Sequence, residues 1–355
     1  MRRISPVHVA PGLSGPAWRG LKRPALPTGL AIVLIGVVAA IGAPVLAPHA
    51  TDDRFPELLH APPTRPHVRD DSGRWRGPFI YSHYVTDRLE QRYAEDRTSP
   101  VALVWFHGGR LVQSADDARR PLLLLGADSY GRDVFSRLLF GARVSLGLSI
   151  VAVLGSIAIG GLAGAVAGYA GGAADDLLMR TTDLVMVLPA MYVALALRSV
   201  LPLVLAPSTV FVFLSAIFAV LGAPFISRGV RGIVRTESRL EYAVAARSLG
   251  ASHTRLLVRH LVPAAGGFIA TEITVLVPAF IVAEATLSYV GLGFPDPIAS
   301  WGTMLHDAAN ISVFADFPWL LSPAAAMFLV VLGLNLAVQG GTPSRHRHLF
   351  IARPM

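Results

Sequence analysis

Two carboxylates in apolar surroundings are the residues of this 355-residue chain whose chemistry stands out first. Glu272 and Glu284 lie in or near the apolar stretch from about Pro263 to Val290. An ionisable group inside a membrane segment is costly and usually serves transport or an internal partner. The two residues are twelve positions apart, which at about 100° per residue places them about 120° apart around a helix. The two side chains therefore cannot both point directly into the same narrow pathway.

Other reactive groups are scarce. The chain has no cysteine, which excludes disulfides, thiolate metal sites and cysteine nucleophiles. Its single lysine, Lys22, stands within Arg19–Pro24, where it cannot complete the G-x-x-x-x-G-K-[ST] loop that binds phosphates. The chain is therefore not expected to hydrolyse ATP by itself, and we assign it no catalytic residue. His346, His348 and the other histidines lack metal-ligand spacing on one predicted helix face, so no metal site is expected.

Residues 241–263 form a basic, amphipathic segment between two strongly apolar stretches, and their chemistry is that of binding. Glu241 to Leu249 are good helix formers, with a small face at Ala243, Ala246 and Gly250. Small side chains would let the groove of a partner come close, and the surrounding arginines could form ion pairs. The alternative is an ordinary basic loop that is attracted to anionic lipid headgroups.

The residues after this helix predict a sharp turn followed by a second helix. Gly250 suits the end of a helix, because glycine adopts the left-handed conformation at little cost. Ser252 can cap the following helix, and Pro263 can begin the next span, where its missing N–H is harmless. We therefore expect a short helix along the membrane, a turn and a helix that rises into the bilayer.

Membrane helices must position these groups. The chain is 53% hydrophobic and 15% charged, with a mean hydropathy of +0.54, whereas a soluble domain is about a quarter charged. Several stretches of about 18 or more nearly uncharged residues predict transmembrane helices. We therefore expect an all-α polytopic membrane protein with about six spans. The predicted spans are residues 29–46, 144–169, 184–205, 209–226, 263–290 and 319–338.

Each of the first two spans is preceded by a segment of distinctive composition. The first, within residues 28–48, follows a basic tail at residues 1–27. Ala47 to Ala50 loosely resembles a cleavage site, so a signal peptide is the alternative to an uncleaved span; the long tail favours the span. Residues 129–143 are amphipathic and predict an interfacial helix that leads into the second span.

The second span carries glycines at every fourth position. They are Gly160, Gly164, Gly168 and Gly172. Such a ladder clears one stripe of a helix and lets another helix approach closely. General enrichment of small residues in membrane helices is the alternative, but the regular spacing favours a tight helix contact.

Residues 49–124 differ in composition from the rest and predict a small, partly β extramembrane insertion. Strand-like runs occur at Pro78 to Val85 and Val101 to Phe106, and Gly108-Gly109 indicates a turn after the second run. A poorly ordered loop is the alternative.

Charge asymmetry orients the spans. The loop at residues 228–262 and both chain ends are rich in arginine, whereas residues 291–318 contain no lysine or arginine. The positive-inside rule therefore predicts that both termini and the 228–262 loop are cytoplasmic. The 49–124 insertion then lies outside, since long loops cross largely regardless of their charge.

With this topology, residues 241–263 resemble the coupling-helix motif of ATP-binding-cassette importer permeases, E-A-A-x3-G-x9-I-x-L-P. The matching positions are Ala245, Ala246, Gly250 and Pro263. The motif's glutamate, isoleucine and leucine are replaced by Val244, His260 and Val262. The peptide-permease branch of that family typically reads E-Y-x-x-A-A-R-x-L-G-A-S and then R-H-x-x-P, which is the pattern found here.

Three further segments resemble the same branch: residues 125–143, 167–172 and 284–305. The G-R-D-x-F-S-R pattern in the first of them resembles the C-type permease of dipeptide and oligopeptide importers. Two departures are that the 49–124 insertion is longer than usual and that the C-terminus lacks the acidic ending common in this branch.

The resemblance implies an ABC type I importer permease fold, with a small periplasmic insertion at 49–124. The permease domain would span residues 125–340 with its coupling helix at 241–262, and residues 341–355 would form a cytoplasmic tail. Such a chain is a multi-pass protein of the bacterial inner membrane and binds no cofactor itself. The implied partners are a homologous permease, two cytoplasmic ATP-binding subunits, an extracytoplasmic solute-binding protein and membrane lipid. The sequence shows no basic face with aromatic platforms, so nucleic acid is not expected.

The function implied by the resemblance is that of half the pore of an ATP-driven importer. Di- and oligopeptides are the family's usual cargo, and nickel, opines and peptide-like antibiotics are alternatives. The residues expected to contact the ATPase are Glu241, Tyr242, Ala245, Ala246, Arg247 and Gly250. Glu284 falls in a family motif, which favours a structural role, so Glu272 is the better pathway candidate; a bridge to the partner permease is equally open for it.

Two other functions compete. An ion-coupled secondary transporter could use Glu272 and Glu284 as coupling carboxylates, but such folds usually show paired internal repeats, and none is evident in the sequence. A membrane-anchored structural or signalling protein would leave residues 241–263 unexplained.

Overall fold

The computed structural model describes residues 17–70, 73–200, 202, 205–309 and 315–341. The first part of the N-terminal tail and the tail after residue 341, with its two histidines, lie outside the described residues. The helices are α1 (Ala17–Leu46), α2 (Val134–Ala170), α3 (Gly172–Val187), α4 (Ala190–Val200), α5 (Pro207–Glu237), α6 (Glu241–Ser248), α7 (His253–Leu256), α8 (Val262–Ala264), α9 (Gly266–Tyr289), α10 (Trp301–Asp307) and α11 (Ser322–Gly341). A π-helical turn, Leu257–Leu261, joins α7 to α8, and a 3-10 turn, Pro318–Leu321, precedes α11.

Within the described residues, five helices are long and apolar enough to cross a membrane. They are α1 from Ala25, α2, α5, α9, and α11 together with the turn before it. The pair α3 and α4 is the sixth candidate, but it bends by 86° between its two helices. The predicted third span at 184–205 is therefore wrong as a straight helix. Pro189 explains the bend, since Leu188 before it adopts an extended conformation (φ −75°, ψ 129°).

Two predicted boundaries also change. α2 runs without a break from Val134, so the helix predicted at 129–143 begins only at Val134 and continues directly into the span. The Asp133 side chain caps α2 by accepting hydrogen bonds from the backbone N–H groups of Phe135 and Ser136, at 3.0 and 3.2 Å. α5 continues past the predicted end at residue 226 to Glu237, because a helix does not have to stop at the edge of the bilayer when polar partners are available.

Backbone contact along a stripe of glycines joins α2 to α5. A Cβ atom built on Gly160, Gly164 or Gly168 would lie only 2.2 to 2.5 Å from a carbonyl oxygen of α5. The facing oxygens belong, in the same order, to Ala223, Ser227 and Arg231. Gly172 lies outside this contact: it begins α3 with φ +57°, and nothing lies within 4 Å of a Cβ built there. The two helices therefore touch at their backbones along two helical turns.

The polar ends of these helices are tied together by charge. Asp175 of α3 accepts hydrogen bonds from Arg231 and Arg235 of α5, with Arg231 Nη2 at 2.6 Å and Arg235 Nη1 at 3.3 Å. Asp175 is buried, whereas the two arginines are partly exposed. The pairs hold α3 against the end of α5 that extends beyond the predicted span.

The 49–124 insertion contains a four-stranded antiparallel sheet in the order β1-β2-β3-β4. The strands are β1 (His67–Arg69), β2 (Trp75–Asp87), β3 (Arg92–Trp105) and β4 (Val112–Ser114). The two predicted strand-like runs lie in β2 and β3, and Gly108 and Gly109 turn the chain between β3 and β4 with φ of 59° and 78°. The prediction of a partly β insertion is therefore confirmed.

Candidate functional site

The segment predicted to bind a partner lies at the end of α5 and begins with α6. Glu241, Tyr242, Ala245 and Arg247 are exposed on α6, whereas Ala243 is completely buried. The half-buried Ala246 packs against the core as well. Two residues of the predicted small face, Ala243 and Ala246, therefore point inward, whereas Gly250 is exposed. Contact of this segment with a partner stays a prediction, and Ala243 is not available for it. Small side chains are needed at the inward positions because α6 lies directly on the protein's own core.

Large apolar side chains are also exposed on and beside α6. Tyr242, Val244 and Leu249 are 42%, 51% and 88% exposed, and Leu240, just before the helix, is 43% exposed. We call these four residues the α6 patch. At about 100° per residue, Leu240 and Val244 lie on one flank of the helix and Tyr242 and Leu249 on the other. Exposed apolar side chains beside the charged Glu241 and Arg247 are typical of an interaction site. Sequence reasoning missed Leu240, Val244 and Leu249, because the helix faces could not be assigned before the buried side of α6 was known.

Gly250 makes the turn that the sequence predicted, with φ +82°. Its N–H donates to the carbonyl of Arg247 at 3.0 Å, and the N–H of Ala251 donates to that of Ala246 at 3.1 Å. Ser252 then caps α7 by accepting a hydrogen bond from the backbone N–H of Arg255 at 3.3 Å. Nothing lies within 4 Å of a Cβ built on Gly250, so the backbone conformation is what requires a glycine here.

Two contacts fix α6 to the long helices, and a third fixes α7. The guanidinium of Arg247 lies over the ring of Tyr169, near the end of α2, at 5.6 Å from its centroid. The Tyr169 hydroxyl in turn hydrogen-bonds to Nδ1 of His253. The Tyr242 hydroxyl donates to Oε2 of Glu237, the last residue of α5, at 2.6 Å. This hydrogen bond raises the pKa of Tyr242 to about 12, so the phenol stays protonated and remains a donor at neutral pH.

The two intramembrane carboxylates have different surroundings. Glu284 is completely buried and accepts hydrogen bonds from the hydroxyls of Ser145 on α2, at 2.8 Å, and Ser288, at 2.7 Å. Ser145 Oγ also accepts from the backbone N–H of Trp301, so this group joins α2, α9 and α10. Glu272 is half-buried and has no hydrogen bond or ion pair within the described residues. The geometry thus gives Glu284 internal partners and leaves Glu272 available.

A second polar group lies in the G-R-D segment before α2. Arg132 is completely buried and donates to Asp128 Oδ2 at 2.7 Å, Asp296 Oδ1 at 2.6 Å and Asp307 Oδ2 at 2.9 Å. Arg137 lies 3.6 Å from Asp128 and 3.7 Å from Asp307. We call these five residues the Arg132 cluster. Burial raises the pKa of Asp307, although both arginines oppose that effect. Buried charges of this kind are stable only when paired.

Sequence reasoning quoted the G-R-D segment but assigned its charges no role. The only signal was indirect: Asp296 and Asp307 occur in a stretch that has no lysine or arginine to pair with them. Their partner Arg132 is 164 and 175 residues away along the chain. The cluster therefore ties the start of α2 to the chain that follows α9.

Beside this cluster, His49 is held between two carboxylates. Its Nδ1 lies 3.0 Å from Asp133, the cap of α2, and its Nε2 lies 3.1 Å from Asp117. Burial opposes protonation of the imidazole, but the hydrogen bonds to Asp117 and Asp133 outweigh it and raise the pKa of His49 to about 9. The charged ring links the end of α1, the segment after the sheet and the start of α2.

In the part of the chain that the structure describes, no group of histidine and carboxylate side chains is arranged to hold a metal ion.

Comparison with known proteins identifies the family. Residues 160–341 match the family described as "Binding-protein-dependent transport system inner membrane component". The dipeptide transport system permease protein of Bacillus subtilis (strain 168) is 33% identical over 266 residues, which cover 74% of this chain and 74% of that protein. The oligopeptide transport system permease protein of the same strain is 37% identical over 216 residues, 61% of this chain and 68% of that protein.

A glutathione transport system permease protein of Pectobacterium atrosepticum is 37% identical over 216 residues, 61% of this chain and 69% of that protein. The matched family region runs from the glycine stripe of α2 to the end of α11 and includes α6 and its turn. The matched region also contains Glu284, whereas the G-R-D segment and Ser145 precede it. This chain belongs to the family of binding-protein-dependent inner membrane transport components, the permeases of ATP-binding-cassette importers, in its dipeptide and oligopeptide branch.

Proposed function

We propose that this chain forms half of the translocation pore of an ATP-driven importer of di- or oligopeptides and receives the motion of the ATPase through α6. The observation that carries the proposal is the α6 patch. It is an exposed apolar surface on a short helix, in the segment that carries the coupling-helix pattern. The names of the dipeptide, oligopeptide and glutathione permeases that it resembles support a peptide cargo.

The contacts of α6 support a transmitting role. A pull on α6 would reach α2 through Arg247 and Tyr169, and α5 through Tyr242 and Glu237. α2 and α5 touch at their backbones along the glycine stripe, so they would move together rather than slide past each other. A displacement at the cytoplasmic surface would therefore reach the middle of the membrane as a movement of a helix pair.

The partners in this proposal are a homologous permease, two ATP-binding subunits that hydrolyse ATP, and an external solute-binding protein. The matched family's description, which names binding-protein-dependent transport, supports that set.

Glu272 is our candidate for the pathway or for a bridge to the partner permease, since its carboxylate has no partner among the described residues. The internal hydrogen bonds of Glu284 weigh against its use as a coupling carboxylate in an ion-driven transporter.

The test is Gly250→Val in the assembled importer. A β-branched residue resists the left-handed conformation, so the substitution should redirect α7 and uncouple peptide uptake from ATP hydrolysis. Gly250→Asn is the conservative variant, because asparagine tolerates that conformation, and it should keep most of the uptake. Gly232→Val is the matched control, since Gly232 also has nothing within 4 Å but lies in the regular helix α5.

Co-purification with the ATPases and peptide uptake are the two measurements. Normal values of both in Gly250→Val would show that this turn does not couple the subunits. A separate experiment addresses the energy source: uptake by the purified chain alone in liposomes, driven by a proton gradient without any ATPase, would exclude the importer function.

A further inference from the structure

The turn between β3 and β4 carries two large aromatic side chains on its surface. Trp105 is 51% exposed and Phe106 is 76% exposed. The turn itself is well formed: the N–H of Phe106 donates to the carbonyl of Leu111 at 3.0 Å, and Gly108 and Gly109 both have positive φ. Phe106 also has a positive φ, 55°, which is unusual for a bulky residue. The turn therefore holds its aromatic residues outward at some conformational cost.

Hydrogen bonds attach this turn to the end of α1. The backbone N–H of Leu111 donates to the carbonyl of Val45 at 2.6 Å, and Val45 is the residue before the last of α1. Gln113 Nε2 donates to the carbonyl of Pro48 at 3.0 Å, and Arg110 donates to the same carbonyl. The aromatic tip is thus fixed close to the point where α1 leaves the membrane.

The face of α1 that leads to this point is exposed and apolar. Leu34, Ile41 and Val45 are 63%, 72% and 48% exposed. The apolar stretch of α1 has a mean hydropathy of 2.6 and is only 17% buried inside the protein. A surface of this composition on a spanning helix faces lipid. The exposed surface of the β3–β4 turn begins beside Val45, where this lipid-facing surface ends.

The hydrogen bonding of the tryptophans points the same way. Trp301 and Trp319 donate their indole N–H groups to the carbonyls of Leu138 and Ala127, at 3.2 and 3.1 Å. Trp105 has no such acceptor within the described residues, and neither has Trp75, which is 70% exposed at the start of β2. What distinguishes Trp105 is its place in the chain next to Phe106, in the turn that is hydrogen-bonded to the end of α1. An apolar ring with an unused donor suits the headgroup level of a bilayer, where tryptophan is enriched.

We propose that the β3–β4 turn is a membrane-interface anchor that places Trp105 and Phe106 in the lipid headgroup region beside the end of α1. In the topology proposed above, this is the outer leaflet. The anchor would hold the β4 edge of the sheet against the bilayer and so fix the orientation of the whole insertion. It depends on α1 spanning the membrane and is independent of what the importer carries.

The absence of cysteine from the chain makes a direct test possible. A nitroxide spin label on Phe106→Cys, in the full-length protein reconstituted into lipid vesicles, reports its depth by collision with oxygen and with a water-soluble nickel chelate. The matched control is Val68→Cys, an exposed apolar position on β1. β1 lies at the opposite edge of the sheet from β4, about three strand spacings or roughly 14 Å away.

We expect oxygen accessibility at residue 106 to exceed nickel accessibility severalfold, and the reverse at residue 68. A label at residue 106 that the nickel chelate reaches freely would overturn the proposal. Shielding from both reagents would also overturn it, since the turn would then pack on protein. Equal immersion of both labels would show that the sheet lies flat and that the turn is not a specific anchor.

A second measurement does not require a label. Trp105→Phe removes one indole while keeping an aromatic side chain, so the difference between the emission of the two proteins isolates Trp105. In vesicles of lipids brominated near the headgroup, this difference emission should be strongly quenched. Difference emission that brominated and ordinary lipids leave equal would contradict the anchor.

Discussion

The Arg132 cluster and the α6 patch differ in which side chains they bury and which they expose. The cluster buries two arginines among three aspartates and satisfies them internally. The α6 patch leaves four apolar side chains exposed on and beside a helix of only 8 residues. The first region is satisfied by groups of this chain, whereas the second leaves apolar side chains that in the proposed function a partner would cover. The comparison therefore separates a region that maintains the fold from one that is proposed to transmit motion.

The helices between these regions connect them. α2 begins beside the Arg132 cluster, and its other end carries Tyr169, which contacts α6. α5 packs on α2 along the glycine stripe and ends at Glu237, which binds Tyr242. Changes at the cluster, along the stripe and on α6 should therefore have decreasing effects on stability and increasing effects on coupling.

The largest loss of stability is expected from Arg132→Ala. The substitution leaves the buried Asp128 and the largely buried Asp307 without their closest cation. Removing one partner from a buried charge group costs about 3–5 kcal/mol. The thermal unfolding midpoint of the detergent-purified protein should fall steeply.

Arg54→Ala is the matched control for that experiment. Arg54 lies 3.5 Å from Asp296, but its side chain is 51% exposed. Exposed pairs contribute about 0 to 1 kcal/mol, so the midpoint should hardly change. Equal effects of the two substitutions would show that the Arg132 cluster is not the stabilising unit that the geometry indicates.

The sequence predicts well those features that depend on residues close together in the chain. Gly250 could be assigned to a turn and Ser252 to a helix cap from their neighbours alone, because both roles depend on a few adjacent residues. The apolar spans and the two main strands could be found for the same reason, since their patterns repeat over short distances. The resemblance of residues 241–263 to a known motif then supplied the family.

What it does not predict depends on distant packing. Nothing in the sequence says that Arg132 meets Asp296 and Asp307, because their contact forms only after the helices from α2 to α9 have packed together. The inward turn of Ala243 has the same cause: both faces of α6 contain small residues, and contact with the core decides which one is buried. The bend at Leu188 was not predicted, because an apolar run of sufficient length looks like a single span.

His49 gives the second prediction, a fall in stability at alkaline pH. Its folded pKa, about 9, lies above the ordinary value of 6.5, so protonation stabilises the folded state. The contribution is complete below about pH 6.5 and is lost as pH rises through 9. A shift of this size corresponds to about 3 kcal/mol, which should appear as a decline of the unfolding midpoint between these pH values.

His49→Gln is the informative variant for this decline. It keeps a hydrogen-bonding side chain between Asp117 and Asp133 but cannot titrate. The variant should be less stable at pH 6 and should lose most of the pH dependence. The exposed His107 serves as the control, and His107→Gln should preserve the decline. A decline that persists in His49→Gln would assign it to other groups.

The third prediction compares two glycines of α2 that lie about one helical turn apart, Gly164 and Gly161. In Gly164→Val, the new Cβ would meet the carbonyl oxygen of Ser227 at 2.3 Å, so the two helices must separate. Overpacking of this kind costs about 1–3 kcal/mol. Gly161→Val places the same side chain where nothing lies within 4 Å and should leave the unfolding midpoint nearly unchanged. Similar midpoints for both variants would show that the glycine stripe tolerates separation.

The smallest effect on stability is expected from Leu249→Ser, and this variant tests the comparison most directly. Leu249 is 88% exposed, so its loss should change the free energy of unfolding by no more than about 0.5 kcal/mol. If the α6 patch is completed by the ATPase, the same substitution should weaken co-purification with that subunit and reduce peptide-stimulated ATP hydrolysis. Leu89→Ser is the control, since Leu89 is 96% exposed on the β2–β3 turn of the insertion and should affect neither. If both ATP hydrolysis and the unfolding midpoint of Leu249→Ser are unchanged, the exposed side chains of α6 do not bind the ATPase. The α6 patch and the Arg132 cluster would then differ only in their contribution to stability.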